Sequence, residues 1–104
     1  MASKQVNNRN RLARQYLTAE LRLSRQYAQE QDTDEYKRRV VFAADKVQHY
    51  AKNCSDGHAQ FLRLFIDGYD QVAICNAIPI QPSTYYAWRR SIIQVFGRYM
   101  GIFI

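Results

Sequence analysis

Residues 78–90 read IPIQPSTYYAWRR, and where this stretch breaks decides the fold. Pro79 lacks an N–H and its ring clashes with the turn before it, so a helix arriving from the N-terminal side must stop there. Pro82 carries the opposite meaning. At the first position of a helix its missing donor would be unpaired anyway, and its fixed φ already suits the helix. Ile78 and Ile80 bracket the break and can plug a core beneath a tight turn. The spacing predicts a short helix over about 70–77, a turn of about four residues, and a longer helix from Pro82 to about residue 98.

Reading outward, the last helix has an inner stripe at Tyr85, Trp88, Ile92, Val95 or Phe96, and Tyr99, in steps of three and four. Upstream, DGYD at 67–70 breaks a helix and offers Asp70 as the next cap, with Val72 and Cys75 on the inner side of the short helix. Ser55 or Asp56 caps the helix before it, which carries His58, Phe61, Leu62, Phe65 and Ile66. Further back, Asp32 followed by Glu35 is a capping-box pattern. It introduces a stripe of Tyr36, Val40, Ala43, Val47 and Tyr50, with Asn53 as a stop. The first helix, about 8–30, places Leu12, Tyr16, Ala19, Leu23 and Tyr27 on one side.

Alternating apolar patterns are missing. The expected fold is all-α, with about five helices in a single domain. Residues 1–7 would be an arm, 8–53 a helical pair for support or dimerisation, and 55–104 the helix-turn-helix part. The expected core includes Leu62, Phe65, Val72, Ile80, Trp88 and Ile92.

The 104 residues suffice for one modest core, and 47% hydrophobic with 13% aromatic content argues against disorder. A net charge of +6 and a sequence pI near 9.6 favour a polyanionic partner, because lysine and arginine displace counterions from phosphates. The excess sits at the two ends. Residues 1–31 hold Lys4, Arg9, Arg11, Arg14, Arg22 and Arg25 against Glu20 and Glu30, and residues 57–104 hold Arg63, Arg89, Arg90 and Arg98 against Asp67 and Asp70. Between them the charges balance.

No apolar run approaches the roughly 18 residues of a membrane helix. Cys54 and Cys75 form no CxxC pair and no secretory leader is evident, so a cytoplasmic setting is expected. Cys54 and His58 are four residues apart but lack a second compact ligand pair. They read as a buried thiol and a partly exposed imidazole, with no metal and no cofactor expected. Nor is there a glycine-rich phosphate loop or a convincing nucleophile–base–orienter set, so catalysis is not expected.

In a helix-turn-helix the second helix presents its first turns to the major groove of DNA. With Tyr85, Trp88 and Ile92 inward, helical rotation places Ser83, Tyr86, Ala87 and Arg90 outward together. Short polar and ring groups can then reach base edges, and an arginine fork can span the two acceptors of guanine. Thr84 and Arg89 flank this face, where phosphate contact is more natural. The expected DNA-binding residues are Ser83, Thr84, Tyr86, Arg89 and Arg90.

The run VAICNAIPIQPSTYYAWRRSI at 72–92, with AQFLRLFIDGY before it, resembles the C-terminal helix-turn-helix of the ArpU/RinA-type late-gene transcriptional regulators of phages. That motif is in turn similar to the DNA-reading region of sigma factors. The matching features are Val72, Cys75, Ile78, Ile80, Thr84, the Tyr85-Tyr86 pair, Arg89, Arg90 and the apolar Ile92. Gln81 departs from the usual serine cap, and Pro79 from the usual small residue of the turn. The resemblance covers about 57–98. It implies a phage or prophage regulator that binds double-stranded DNA near a promoter, with host RNA polymerase as a further partner.

A reader this small needs two half-sites for affinity, so a homodimer is expected, through the first two helices or the apolar tail MGIFI. Two other uses fit the same residues. One is a phage-encoded inhibitor of a host nuclease or polymerase, since Tyr, Trp and Arg also make interface hot spots. The other is a DNA-packaging subunit that assembles into rings.

Overall fold

The computed structural model describes residues 2–103, with side chains from residue 8 onward. It is all-helical, with α1 at Ala2–Gln29, α2 at Glu35–Cys54, α3 at Asp56–Ile66, α4 at Gln71–Ala77 and α5 at Pro82–Met100. All five helices contribute to one apolar core.

The helix starts are set by side chains that accept otherwise unpaired first-turn amides. Ser55 accepts from the His58 amide and Asp70 from the Ala73 amide, as their positions predict. The α2 cap is Asp34 rather than Asp32. Its carboxylate accepts from the Lys37 amide at 2.8 Å, so the capping box expected with Glu35 does not form. At the other end of α3 the chain turns through Gly68 at φ 93, with the Gly68 and Tyr69 amides bonded to Phe65 and Leu64 carbonyls. This left-handed position costs glycine nothing.

The turn between α4 and α5 behaves as the prolines require. The Ile78 amide closes α4 on the Ile74 carbonyl, and the Ile80 amide donates across Pro79 to Ile78 at 2.7 Å. Ile78 is buried and Ile80 packs against the core. α5 then begins at Pro82, with Gln81 in extended conformation and giving no side-chain cap.

Several faces are rotated from their expected settings. In α1 the inward stripe is Leu17, Leu21 and Ser24, while Leu12 is 59% and Tyr16 42% exposed. Two stripes compete in this helix. The leucines bury wholly, whereas a tyrosine loses less at a rim where its hydroxyl keeps a partner. Tyr16 meets the Tyr36 hydroxyl there, and Tyr27 lies beneath the Lys37 ammonium. Tyr36 is accordingly exposed, and α2 buries Val40, Ala43, Ala44, Val47 and Ala51. The backbone of residues 2–7, expected as an arm, continues α1, while their side chains lie outside the described residues.

In α4 it is Ile74 that is buried, and Val72 is 64% exposed. Two turns of helix fixed by the Asp70 cap leave Ile74 and Ile78, one turn apart, as the positions that reach inward. Trp88, expected in the core, is only half-buried, and Tyr99 is exposed against the edge of Phe42. The core of α5 is Tyr85, Ile92, Ile93, Phe96 and Met100. Leu62, Phe65 and Ile92 lie in the core as expected.

The C-terminal tail folds back. Gly101, at φ 78, ends α5, and the Ile102 amide donates to the Gly97 carbonyl at 2.7 Å. Ile102 packs on the core, but Phe103 stays 79% exposed. A Cβ on Gly97 would lie 2.6 Å from the Ile102 carbonyl oxygen and 3.1 Å from Leu17 Cδ1. Glycine to alanine inside a helix ordinarily stabilises by about 1 kcal/mol. At position 97 the sign should reverse, with Gly97→Ala lowering stability by about 1–3 kcal/mol in urea denaturation. A gain in stability would mean that the tail does not lie across α5.

Candidate nucleic-acid interface

The rotation of α5 is fixed from beneath. Tyr85 is 4% exposed and meets Phe61 edge-on at 5.4 Å. Burial pushes its hydroxyl pKa up, while the guanidinium groups of Arg89 and Arg22 pull it down. With Tyr85 held inward, Ser83, Tyr86, Ala87 and Arg90 are exposed, and Thr84 and Arg89 are half-buried at the flanks.

Tyr86 is oriented as well as exposed. Its ring stands edge-on to Tyr85 at 5.2 Å, and its hydroxyl donates to Gln71 Oε1 at 3.2 Å. Gln71 is the first residue of α4, so this bond ties the two helices of the segment together. The Arg89 guanidinium lies 6.0 Å from the Tyr86 ring centroid, a weak cation–π arrangement.

Beside this face is a hollow of about 320 Å³ lined by Arg14, Tyr86, Arg89, Arg90 and Ile93. It brings Arg14 of α1 together with two arginines 75 and 76 residues further along the chain. The ion pairs among the described residues join Arg25 to Asp67, Lys37 to Glu30 and His49 to Asp45. None of them takes up Arg14, Arg89 or Arg90. Three fixed charges converging without a carboxylate repel one another, and an anion placed among them would remove that cost.

Arg14 is the residue that local sequence patterning misses. It follows from the true inward stripe of α1, because Arg14 precedes Leu17 by three positions and so borders the face packed on α5.

A roomier hollow of about 500 Å³, lined in part by Lys52, Asp56, Arg63 and Arg25, lies between α2 and α3. It mixes both signs of charge, and its Arg25 is already paired with Asp67. The smaller hollow has the chemistry of an anion site despite its size.

Cys54, expected as a buried thiol, is exposed, and Cys75 is half-buried. Among the described residues no group of three or more His, Cys, Asp or Glu side chains comes together in a way that could hold a metal. No helix of the described residues is long and apolar enough to cross a membrane. No family model, curated protein or solved structure matches the chain.

On the side of α5 away from the hollow, Trp88 stacks on His58 at 3.8 Å between ring centroids. His58 Nδ1 is 2.6 Å from the Ser55 hydroxyl that caps α3. Burial lowers the imidazole pKa below its ordinary 6.5. Below pH 6.5 the unfolded chain therefore takes up this proton before the folded one does. The contribution to stability is complete above that pH and is lost as the pH falls through the folded value. Trp88 is the single tryptophan, so its fluorescence should titrate with a midpoint below 6.5, and His58→Gln should abolish the transition. A midpoint at or above 6.5 would contradict the burial of this pair.

Proposed function

We propose that the protein is a phage or prophage transcriptional regulator that binds double-stranded DNA through α4, the turn at 78–81 and α5. The observation that carries this reading is the convergence of three guanidinium groups, engaged by no ion pair among the described residues, beside an exposed, polar first half of α5. A duplex offers what such a surface lacks: base edges for the outward side chains, and phosphates for the flanking charges. Ser83, Tyr86 and Arg90 face the bases, Thr84 and Arg89 the backbone. The uncapped amide groups at the start of α5 add to the attraction for phosphate.

Two copies acting on two half-sites would supply the affinity that one short helix cannot. Apolar surface for such a homodimer exists away from the reading face, at Leu12, Phe42, Tyr99 and Phe103. Like the DNA partner, the homodimer is part of the proposal.

Arg89 and Arg90 are adjacent in sequence but about 100° apart around the helix, so their losses should differ in kind. Arg90→Ala should cost about 1–3 kcal/mol on the preferred duplex and relax preference at one base pair. Arg89→Ala should weaken binding to every sequence and flatten the dependence of log K on log salt by about one unit. Fluorescence anisotropy across a set of single-base variants of the selected site separates the two. Equal, sequence-independent losses would reduce the surface to a merely basic one. A folded protein that binds no duplex even at low salt would favour a protein-binding inhibitor instead.

A further inference from the structure

The four described arginines of α1 that fall along one edge do not have the same surroundings. Arg22 donates to the Phe65 carbonyl and lies over the Phe65 ring, and Arg25 pairs with Asp67. Both are tied into α3. Arg14 lines the hollow with Arg89 and Arg90, and Arg11, three residues earlier and on the same edge, is exposed. Among the described residues no hydrogen bond or ion pair engages either of these two. The C-terminal half of the helix thus uses its arginines to hold the bundle, and the N-terminal half leaves them free.

We propose that α1 is a second arm of the DNA interface: Arg14 holds the backbone phosphate next to the one held by Arg89, and Arg11 reaches the phosphate beyond it along the same strand. The inference rests on the duplex-binding reading of α5 and extends it to a helix outside the helix-turn-helix.

Packed helices lie about 8–10 Å apart axis to axis. The major groove is about 12 Å wide and is filled by one helix. With α5 in the groove, a helix packed beside it therefore lies over a groove wall, where the phosphates are, and away from the base edges. The lining of the hollow suits the task. It presents guanidinium groups around the aliphatic Ile93, with no carboxylate to compete for them. Successive phosphates along its rim meet forks from two helices and are partly shielded from water, which strengthens each charge-assisted bond.

The test is anisotropy titration of a fluorescein-labelled 24-base-pair duplex with the full chain, from 50 to 200 mM KCl. Arg14→Gln is compared with Arg63→Gln, which removes the same charge from the exposed face of α3. Each phosphate contact contributes about 0.9 to the salt slope, or about 3- to 4-fold in affinity across this range. Arg14→Gln should flatten the slope by about that amount, Arg14→Lys should retain it, and Arg63→Gln should leave it unchanged. Arg11→Gln, at an exposed position, should also flatten it, and remains informative if Arg14→Gln lowers the melting temperature. Equal slopes for wild type, Arg14→Gln and Arg11→Gln, with Arg90→Ala still altering base preference, would overturn the role of α1 and leave the reading by α5 intact. Equal losses in the Arg14 and Arg63 variants would reduce the effect to net charge and overturn it too. Wild-type protein without salt-dependent duplex binding would overturn the underlying reading itself.

Discussion

Everything proposed for the surface depends on how α5 is rotated, and that rotation is set by the burial of Tyr85, Ile92, Ile93 and Phe96. Each large apolar side chain taken fully from water contributes about 1.5–3 kcal/mol. Turning the helix by one residue, about 100°, would bring several of these chains towards solvent and carry arginine or serine towards the core. Neither change is tolerable in a small domain whose total stability is about 5–15 kcal/mol. The plug at Ile78 and Ile80 fixes the other coordinate, the point at which the helix begins. A helix with its start and its rotation both determined has one set of outward side chains, and here that set is Ser83, Tyr86, Ala87 and Arg90.

The same packing explains why like charges are gathered instead of dispersed. α1 must lie against α5 because Leu17 enters the core and touches the place where Gly97 lacks a side chain. Arg14, one turn before Leu17, is thereby delivered to the edge of the hollow beside Arg89 and Arg90. Two other basic side chains of the described residues are neutralised, Arg25 by Asp67 and Lys37 by Glu30. A concentration of unpaired charge at one concave place is a cost in the isolated molecule, and it is recovered when a polyanion binds.

Much of the architecture was legible because its punctuation is chemical. Pro79, Pro82, Asp70 and Ser55 each have one sensible use at their positions, and the helices end and begin around them. The sequence is ambiguous where two local solutions compete. α1 offers two apolar stripes, and only packing on α2 and α5 selects the leucine stripe over the tyrosine one. Asp32 and Asp34 stand two residues apart as possible caps, and the backbone decides between them. A helix as short as α4 has too few turns to define a face, so its pattern points to Val72 where the fold buries Ile74. Trp88 falls on the same helical stripe as Tyr85 and Ile92, although its place is a rim where the indole can cover His58. Arg14 was legible only as one of many basic residues. Its neighbours in the hollow are far along the chain, and no local pattern encodes that meeting.

The central claim is that α5 and the adjoining edge of α1 form one phosphate- and base-contacting surface. The most direct measurement is a ¹H–¹⁵N correlation titration of the labelled protein with a short duplex at low salt. The account predicts amide shifts concentrated at residues 81–93 and 9–15, together with the side-chain resonances of Arg14, Arg89 and Arg90, while α2 and α3 remain quiet. Shifts confined to the hollow between α2 and α3, or none at all with the protein folded, would contradict it.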